Sequence, residues 1–540
     1  MLELSRDRWT MVDLVRAQAE KYGDREFLRL KDNGVLSFRQ LDDLSTRLAA
    51  SFAGNGVVPG DRIVAVVENC PEIVLALFAA NKLGAIFVPL NTQLKGAFLE
   101  HQLKNSAPRL LIVDGNTSPL FDTVDLSVID PQTVVTVGKP SAEDARRFAK
   151  QRCCSFDDLL RHNDAPISIH EASPGDISTV IYTSGTTGPS KGVMMPHAHC
   201  YLIAYNLAKV MQLTEADVYY VPMPLFHTNA LFMQTIGALI AGARVVLARR
   251  FTATNWLDDV RTYGATVTNA LGVMPEFIFR QPPTPNDRDH KVRAMMAVPI
   301  AAEWGHQFEE RFGLRIVQGF GLTESNIVAY TALGDPLEPG CCGNILTDWY
   351  DVRIVNPSSD EELAVGETGE IIIRPKYPWI FMAGYFRMPE RTVDAWRNLW
   401  FHTGDAGYVD KRGRLFFVDR IKDCIRRRGE NISSYEVEQV ISTHPAVEES
   451  AVVAAKSEIP GGEDEVKACV VIRPGHQLRP EELLDFCQER MPRYAVPRYV
   501  DFVDSLPKTP TGKVRKEELR QRSDGGKSWD REATGYVVRR

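Results

Sequence analysis

Helical and strand-like patterns alternate along most of this 540-residue chain, and the alternation limits the folds that it can adopt. A helical spacing over 38–52 is followed by a short apolar run at 63–67, a helical segment at 71–83 and a strand-like run at 85–90. Similar runs return at 110–113, 177–182, 244–247 and 315–317. Strands separated by helices usually pair in parallel and are covered on both faces. The sequence therefore predicts α/β layers built on doubly wound parallel sheets.

The second half of the chain changes character twice. Residues 343–374 are rich in strand-like runs separated by turns, and a unit of about 100 residues follows residue 420, a normal size for a small α+β domain. In this unit we expect helices over 434–442 and 480–490 and strands over 450–453 and 467–472. The predicted domains are 1–420 and 421–522, with a hinge near Lys422. Residues 523–540 are polar and are predicted to form a loosely held, flexible tail.

Composition narrows the cellular setting. The formal net charge of −7 gives no reason to expect nucleic acid or an anionic membrane as partner. The nine cysteines are scattered and form no C-x-x-C pair, which favours a reducing compartment. The N-terminus lacks a hydrophobic signal core, and the most apolar window, 230–243, is too short and too polar to cross a bilayer. We expect a cytoplasmic protein with no integral membrane segment.

Two short segments far apart in the chain carry the strongest chemical signal: Thr183-Ser-Gly-Thr-Thr-Gly-Pro-Ser-Lys-Gly192 and Pro507-Lys-Thr-Pro-Thr-Gly-Lys513. In the first, glycines let backbone N–H groups approach an anion, hydroxyls add donors, and Lys191 adds a positive charge. It is not a Walker A loop, because its lysine follows Gly188 by three positions and Gly192 then leads into Val193-Met-Met195. The second segment places Lys513 on a glycine turn. Nucleotide chemistry is thus predicted to be divided between two bodies.

Further motifs occur between these two segments. They are Pro224-Leu-Phe-His-Thr-Asn229, Gln318-Gly-Phe-Gly-Leu-Thr-Glu324, Phe401-His-Thr-Gly-Asp-Ala-Gly407, Asp419-Arg-Ile-Lys-Asp423 and Arg428-Gly-Glu-Asn-Ile432. In this order the motifs make the chain resemble the adenylate-forming superfamily of acyl-CoA synthetases, peptide-synthetase adenylation domains and luciferases, over roughly residues 10–520. The resemblance implies a large N-terminal domain of two doubly wound subdomains plus a β-barrel, and a small mobile α+β C-terminal domain.

The resemblance also implies a reaction, that of an AMP-forming acid–CoA ligase. ATP activates a carboxylic acid as an acyl-adenylate, and coenzyme A then accepts the acyl group, so that AMP and pyrophosphate are released. The implied cofactors are ATP, Mg²⁺ and coenzyme A, and the substrate is a small carboxylic acid. Several negative groups must meet in such a site, so catalysis rests on alignment and on charge neutralisation by cations and N–H donors. Mg²⁺ suits this purpose because it prefers oxygen ligands and phosphates.

The motifs assign roles to individual residues by resemblance. The residues expected to bind the phosphates are Thr183, Ser184, Gly185, Thr186, Thr187, Gly188 and Lys191. Those expected around the rest of the nucleotide are Gln318, Gly319, Phe320, Gly321, Thr323, Asp405 and Arg420. Phe320 offers a face to adenine, Thr323 a hydroxyl to the α-phosphate and Asp405 a carboxylate to the ribose. Glu324 and Thr187 are the expected Mg²⁺ ligands. The predicted catalytic residues are Lys513, Thr187, Glu324 and His227.

The C-terminal domain is expected to serve both half-reactions. Lys513 bridges the carboxylate and the α-phosphate during adenylation, and rotation about Lys422 then presents Gly429 and Glu430 to coenzyme A. The neighbouring basic run at 426–428 is interpreted either as a solvated loop or as a contact to the phosphates of coenzyme A. His227 either gates the carboxylate channel or is a packed core histidine.

Several alternatives remain open from the sequence. The acyl group could be loaded onto the phosphopantetheine of a carrier protein, or the chain could be an inactive sensor of acyl-nucleotides. A homodimer is also left open. Segments at 264–268, 281–283, 286–290 and 428–433 look most like bacterial crotonobetaine/carnitine-CoA ligases, which suggests a small polar or betaine-like acid. Phe226, Trp304 and Phe320 are candidate walls of an aromatic box for a trimethylammonium group.

Overall fold

The computed structural model describes residues 1–31, 33–129, 131–161, 167–183, 189–271, 274–298, 305–338, 340–420, 424–427, 430–456, 463–507, 514, 516–521 and 528–539. Two largely parallel sheets form the first half of this structure, an antiparallel sheet follows, and a smaller α/β unit ends it. This architecture confirms the predicted fold class.

The first parallel sheet carries the phosphate segment at one end. Its eight strands, in spatial order, are Gly384–Tyr385, Lys191–Pro196, Ile177–Thr183, Ile86–Pro89, Arg62–Val66, Leu110–Asp114, Thr133–Val137 and Arg152–Ser155. The last six are parallel, whereas the first two run antiparallel to their neighbours. Its central strands are buried, aliphatic runs, as expected for a sheet that helices cover on both faces.

The second parallel sheet has the same construction with seven strands. In spatial order they are Arg315–Val317, Ala294–Val298, Val267–Leu271, Val218–Val221, Arg244–Leu247, Glu26–Leu30 and Asn33–Ser37. The first six are parallel and the last returns antiparallel. The predicted runs at 244–247 and 315–317 coincide with its strands.

An antiparallel sheet occupies the place of the predicted β-barrel. Its path runs through Gly319–Leu322, Asn326–Tyr330, Cys341–Ile345, Arg414–Arg420, Trp400–Val409, Gly369–Pro375 and Tyr350–Val355, and Trp396–Arg397 pairs with Trp400–Val409 off this path. Two of the predicted nucleotide motifs lie on it. The motif 318–324 forms its first strand and the turn after it, and the motif 401–407 lies within Trp400–Val409.

The C-terminal unit contains a hairpin and a four-stranded sheet. The hairpin, here called the C-terminal hairpin, joins Cys424–Arg427 to Glu430–Ser433. The sheet orders Val447–Ala455, Glu465–Ile472, Tyr499–Phe502 and Trp529–Asp530. The helices of this unit are Ser434–Ser442, Pro480–Gln488 and Lys516–Gln521. The first of these has the bounds that the sequence predicted.

The remaining helices cover the large sheets. The α-helices are Met11–Tyr22, Phe38–Gly54, Pro71–Lys82, Gly96–Ser106, Ala142–Arg147, Phe156–Arg161, His197–Val210, Gly237–Ala241, Trp256–Thr262, Met274–Phe279, Gly305–Phe312 and Pro389–Ala395, and a π-helix spans Asn229–Ile236. Helix Phe38–Gly54 begins at a capping box between Ser37 and Gln40. No helix of the described ranges combines the length and the hydropathy that crossing a bilayer requires.

One buried cation joins two of these helices. Lys82, whose side chain has no exposed surface, donates through Nζ to Asp42 Oδ1 at 2.5 Å and to the hydroxyls of Ser45 and Thr46 at 2.9 and 2.7 Å. Burial lowers the pKa of Lys82, and the charge of Asp42 opposes that shift. Since an unpaired buried ammonium would be very unfavourable, these acceptors fix helix Phe38–Gly54 against helix Pro71–Lys82.

The end of the chain differs from the loosely held tail that its polar composition predicted. Strand Trp529–Asp530 extends the C-terminal sheet, and Asp530 pairs with Arg498 at 3.0 Å. Tyr536 donates to Asp485 at 2.7 Å, and Arg531 and Val538 are buried. This segment is bound to the C-terminal unit because its polar residues have charged or carbonyl partners and its few apolar residues are buried against that unit.

Candidate active site

The phosphate segment lies in a β-hairpin, which we call the phosphate hairpin. Strand Ile177–Thr183 pairs antiparallel with Lys191–Pro196, with Thr183 opposite Lys191. A strand thus follows the lysine where a P-loop would have a helix, as the sequence analysis predicted. Residues 184–188, and with them the predicted phosphate ligands Ser184, Gly185, Thr186, Thr187 and Gly188, lie outside the described residues.

Lys191 points to a tyrosine that the sequence analysis did not single out. The short strand Gly384–Tyr385 pairs with Val193 and Met194 next to the phosphate hairpin. Lys191 Nζ donates to the Tyr385 hydroxyl at 3.0 Å and lies 4.1 Å from the centre of its ring. Both residues line the same cavity.

The same hydroxyl holds the predicted metal ligand. Tyr385 OH donates to Glu324 Oε1 at 2.9 Å, in a turn between strands Gly319–Leu322 and Asn326–Tyr330. Burial first, and then the charge of Glu324, raises the pKa of Tyr385 far above the ordinary value of a phenol. The hydroxyl therefore stays protonated near neutral pH and can donate to Glu324. Tyr385 thus links Lys191, which is predicted to bind phosphate, to Glu324, which is predicted to bind the metal.

The motif 318–324 forms one wall of the cavity, with one exception. Gly319, Phe320, Gly321 and Thr323 line it, whereas Gln318 is buried outside the lining. Phe320 stacks on Phe417 with ring centroids 6.2 Å apart, which leaves its cavity side for a planar ligand. A Cβ atom at Gly321 would lie 2.3 Å from the backbone oxygen of Asn326, so this hairpin can form only with glycine there.

Asp405 lies next to the cavity rather than in its lining. It is buried, while its neighbours Thr403 and Gly404 line the wall. Its own N–H donates to Thr403 Oγ1 at 3.0 Å, and Glu370 Oε1 accepts the N–H of Gly404 at 3.0 Å. The backbone of Arg420 pairs with that of Asp405. Glu370, which the sequence analysis missed, thus supports the part of strand Trp400–Val409 that carries Asp405.

The cavity, of about 1040 Å³, lies between the large N-terminal part and the C-terminal unit. Glu430 on the C-terminal hairpin contributes to its wall, and its Oε1 lies 3.3 Å from His227 Nε2. Asn91 donates to the hydroxyl of Tyr494 at 3.2 Å across the same boundary. The His227 side chain is about one third exposed, and its ring lies 4.4 Å from that of Phe226. His227 therefore faces the cavity instead of being packed in the core.

The middle residue of the basic run at 426–428 is neither part of a solvated loop nor a contact to coenzyme A, the two interpretations that the sequence left open. The Arg427 side chain is 1% exposed, and its Nε lies 2.5 Å from Glu465 Oε2. Its Nη1 donates to the carbonyl oxygens of Tyr494 and Val496 at 2.9 and 3.2 Å. Arg427 is thus an internal anchor of the C-terminal hairpin, neither solvated nor available to a coenzyme A phosphate. Sequence could not reveal this, because its partners lie 38 or more positions away.

Other predicted site residues fall outside what the structure describes. Lys513, Lys422 and Gly429 are not among the described residues, and neither is Trp304 of the suggested aromatic box. The side chain of Arg420 is likewise outside the description. The roles assigned to these residues stay predictions.

Glu324 fits the expected Mg²⁺ in chemistry and position. It is 8% exposed and lines the cavity, and one of its oxygens is oriented by Tyr385. Mg²⁺ is typically held by one or two carboxylates together with substrate phosphates and waters, rather than by a cage of protein groups. In agreement with this, no group of three or more His, Cys, Asp or Glu side chains in the described ranges could hold a metal ion.

Comparison with known proteins identifies the family. Residues 15–386 match the model of the AMP-binding enzymes, and residues 436–513 match that of the AMP-binding enzyme C-terminal domain. The chain belongs to the AMP-binding enzyme family. The predicted superfamily and the predicted enzyme class, an acid–thiol ligase, are thereby confirmed.

Relatives and solved structures agree over nearly the whole chain. The crotonobetaine/carnitine–CoA ligase of Salmonella typhi is 31% identical over 511 residues, which are 93% of this chain and 97% of that protein. A double mutant of the o-succinylbenzoate CoA synthetase of Bacillus subtilis, bound to the product analogue OSB-NCoA, is 26% identical and superposes with a TM-score of 0.79, covering 96% and 98% of the two chains. The complex of the Bacillus enzyme with AMP covers 95% and 98% with a TM-score of 0.65.

Proposed function

We propose that this protein is an AMP-forming acid–CoA ligase that uses one cavity for two half-reactions. In the first, a carboxylate oxygen of the acid attacks the α-phosphorus of ATP, the bond to the β-phosphate breaks, and pyrophosphate leaves. In the second, the sulfur of coenzyme A attacks the acyl carbon, the mixed-anhydride C–O bond breaks, and AMP leaves. The thiol proton is released to solvent.

The side chains around the cavity support the first half-reaction. Lys191 and Tyr385 stand where a polyphosphate would lie along the phosphate hairpin, and Glu324 would hold a Mg²⁺ that shields the phosphate charge. The Thr323 hydroxyl lies 3.4 Å from that of Thr228, at the start of the π-helix. An α-phosphate beside Thr323 would then meet an acid that enters along this helix. Fixed donors and cations around developing negative charge are an effective means of accelerating such a step.

The observation that carries the proposal is the contact of Glu430 with His227 across the cavity. A C-terminal unit that brings its hairpin to the acid channel suits thioester formation, when coenzyme A must approach the acyl group. The higher TM-score with the product-analogue complex than with the AMP complex of the related synthetase supports the same arrangement. In the first half-reaction, Lys513 would take the position that this hairpin occupies here.

Radioactive ATP–pyrophosphate exchange that depends on a carboxylic acid tests the first half-reaction, and release of AMP that saturates with free coenzyme A tests the second. Lys513→Ala should lower exchange by about 10²–10³-fold, since one bridging cation contributes roughly 3–4 kcal/mol to the transition state. Thioester formation from preformed acyl-adenylate should survive in this variant. Equal loss of both half-reactions would contradict the role of Lys513. Activity with a phosphopantetheinylated carrier protein, but none with free coenzyme A, would favour the carrier alternative, and ADP as product would exclude adenylation.

A further inference from the structure

The acid-binding end of the cavity is lined by thioethers. Met223 follows strand Val218–Val221, Met233 lies on the π-helix Asn229–Ile236, and Met296 lies on strand Ala294–Val298. All three line the cavity and are otherwise buried, with exposures of 4–6%. Methionine side chains are apolar, polarisable and easily repacked, so such a wall suits an uncharged tail of variable shape. It offers no charge with which to recognise a cationic one.

Asn229 places a polar amide in this wall, and the amide of Asn69, which also lines the cavity, is bonded to backbone groups. Asn229 is half-buried, lines the cavity and follows Thr228, whose hydroxyl contacts Thr323 in the reaction centre. A tail that leaves a carboxylate bound near Thr323 would therefore pass Asn229 first. The π-helix that begins at this residue is a rare conformation, which recurs at functional sites in proteins.

The orientation of the Asn229 amide follows from the groups behind it. The buried hydroxyl of Tyr219 donates to Asn269 Oδ1 at 2.5 Å, which directs Asn269 Nδ2 to Asn229 Oδ1 at 3.0 Å. Gln234 Nε2 donates to the same Asn229 oxygen at 2.8 Å. Two donors on one oxygen leave the Nδ2 group of Asn229 as the polar group that meets a ligand. This group can donate a hydrogen bond, and its partial positive charge opposes a cation.

From this geometry we infer that the acid has an uncharged, mainly apolar tail with a hydrogen-bond acceptor that meets Asn229 Nδ2. The inference rests on the proposed function and sets this chain apart from the cationic acids named for its crotonobetaine/carnitine–CoA ligase relatives. A buried trimethylammonium group next to an amide donor and three thioethers would lose its hydration, and none of these four side chains is an anionic partner for it. The aromatic box suggested by sequence would have to form from residues other than this wall.

Two series of acids that differ only in charge test this inference. Each neutral acid ends in a tert-butyl group, and its partner carries a trimethylammonium group at the same position, as in 5,5-dimethylhexanoate and 4-trimethylammoniobutanoate. Pyrophosphate release with saturating ATP and coenzyme A gives kcat/KM for each acid over a range of chain lengths. We expect the best neutral acid to exceed its cationic partner by about tenfold or more. A cationic acid as the best substrate would overturn the inference.

The variant Asn229→Asp makes the test specific to this residue. One carboxylate oxygen can still accept from Gln234 and Asn269, while the other places a negative charge where the amide donor stood. The preference should shift towards the cationic series by about 10-fold or more, whereas Asn286→Asp, the same change at an exposed position outside the cavity, should leave it unaltered. An unchanged preference in Asn229→Asp would show that this side chain does not meet the tail.

The hydrogen-bond acceptor is tested with oxo acids of fixed chain length. At least one position of the carbonyl should raise kcat/KM above that of the parent alkyl acid. In Asn229→Leu the ratio of kcat/KM for that oxo acid to kcat/KM for the parent acid should fall to one or below, whatever the activity of the variant on the parent acid. No gain at any position would overturn the assignment of Nδ2 as a donor to substrate. Lack of pyrophosphate release with every acid would instead overturn the acid–CoA ligase proposal, on which this inference rests.

Discussion

Replacement of Tyr385 by phenylalanine removes one oxygen atom that joins Lys191 to Glu324. The hydroxyl donates to the Glu324 carboxylate at 2.9 Å and accepts from Lys191 Nζ at 3.0 Å, and the residue is only 3% exposed. A hydrogen bond to a charged group is worth about 1.5–3 kcal/mol. Glu324 lines the cavity, where water can partly replace the lost donor. We therefore expect Tyr385→Phe to lose about 2 kcal/mol of the free energy that orients Glu324 and Lys191 for binding. This corresponds to about 30-fold in a binding constant.

This loss should appear as weaker binding of nucleotide together with Mg²⁺. The non-cleavable analogue α,β-methylene-ATP allows affinity to be measured by calorimetry without turnover. Tyr385→Phe should weaken its binding by about 10–30-fold at a fixed low concentration of Mg²⁺, and much less in excess EDTA, because Tyr385 acts through the orientation of Glu324. Tyr205→Phe is the matched control, since the Tyr205 hydroxyl donates to Glu3 at 3.1 Å away from the cavity.

Two results would refute the reasoning. If Tyr385→Phe needed less Mg²⁺ than the wild-type protein, the hydroxyl would compete with the metal for Glu324 instead of orienting the carboxylate. If affinity fell equally with and without Mg²⁺, Tyr385 would support the phosphate hairpin by packing alone.

Two further predictions concern the C-terminal hairpin and the buried side chain of His197. Glu430→Gln removes the carboxylate charge that lies 3.3 Å from His227. We expect single-turnover thioester formation to slow by about tenfold, while ATP–pyrophosphate exchange stays unchanged. Equal slowing of both steps would contradict a role of Glu430 confined to the thiol step. His197 accepts the N–H of Met11 through Nδ1 at 3.1 Å, and burial lowers its pKa to about 4. In the unfolded chain this histidine binds a proton near pH 6.5, whereas in the folded protein it stays neutral down to a lower pH. The free energy of unfolding is therefore highest above pH 6.5 and falls as the pH approaches 4, by about 2 kcal/mol at pH 5. The free energy of unfolding in urea should therefore change less between pH 7.5 and pH 5 in His197→Leu than in the wild-type protein, by that amount. An unaltered pH dependence would refute the lowered pKa of His197.

Local patterns in the sequence were sufficient to predict the elements, because buried strands and amphipathic helices leave a regular apolar spacing. The helix Ser434–Ser442 and the strands Arg244–Leu247 and Arg315–Val317 have the predicted bounds. The absence of a P-loop was predicted as well, since the lysine follows the last loop glycine by three positions, and a strand follows Lys191 where a P-loop has a helix.

Local sequence patterns could not predict the interactions between segments that are distant in the chain. Tyr385 reaches Lys191 only because an isolated two-residue strand pairs with the phosphate hairpin, nearly 200 positions earlier in the chain. Arg427, in a basic run, was interpreted either as part of a solvated loop or as a contact to coenzyme A phosphates, yet its environment is set by Glu465 on another strand. The last residues looked free because composition does not show that Asp530 meets Arg498. Each of these errors concerns a polar residue whose partner is remote, whereas apolar periodicity depends on near neighbours.

The same distinction explains why family membership defines the reaction more closely than the acid. The groups proposed for the chemistry lie on hairpins with tight steric demands, such as Gly321, where any side chain would collide with the backbone of Asn326. Few substitutions are sterically possible at such positions. The proposed tail site is instead lined by methionines on a π-helix and on strand ends, where one apolar residue replaces another at little cost. The change Asn229→Asp would alter the charge that a substrate tail meets, while one carboxylate oxygen could still accept from Gln234 and Asn269. An identity of 31% over 93% of the chain is therefore compatible with a different acid, and the cavity wall is where that difference should be sought.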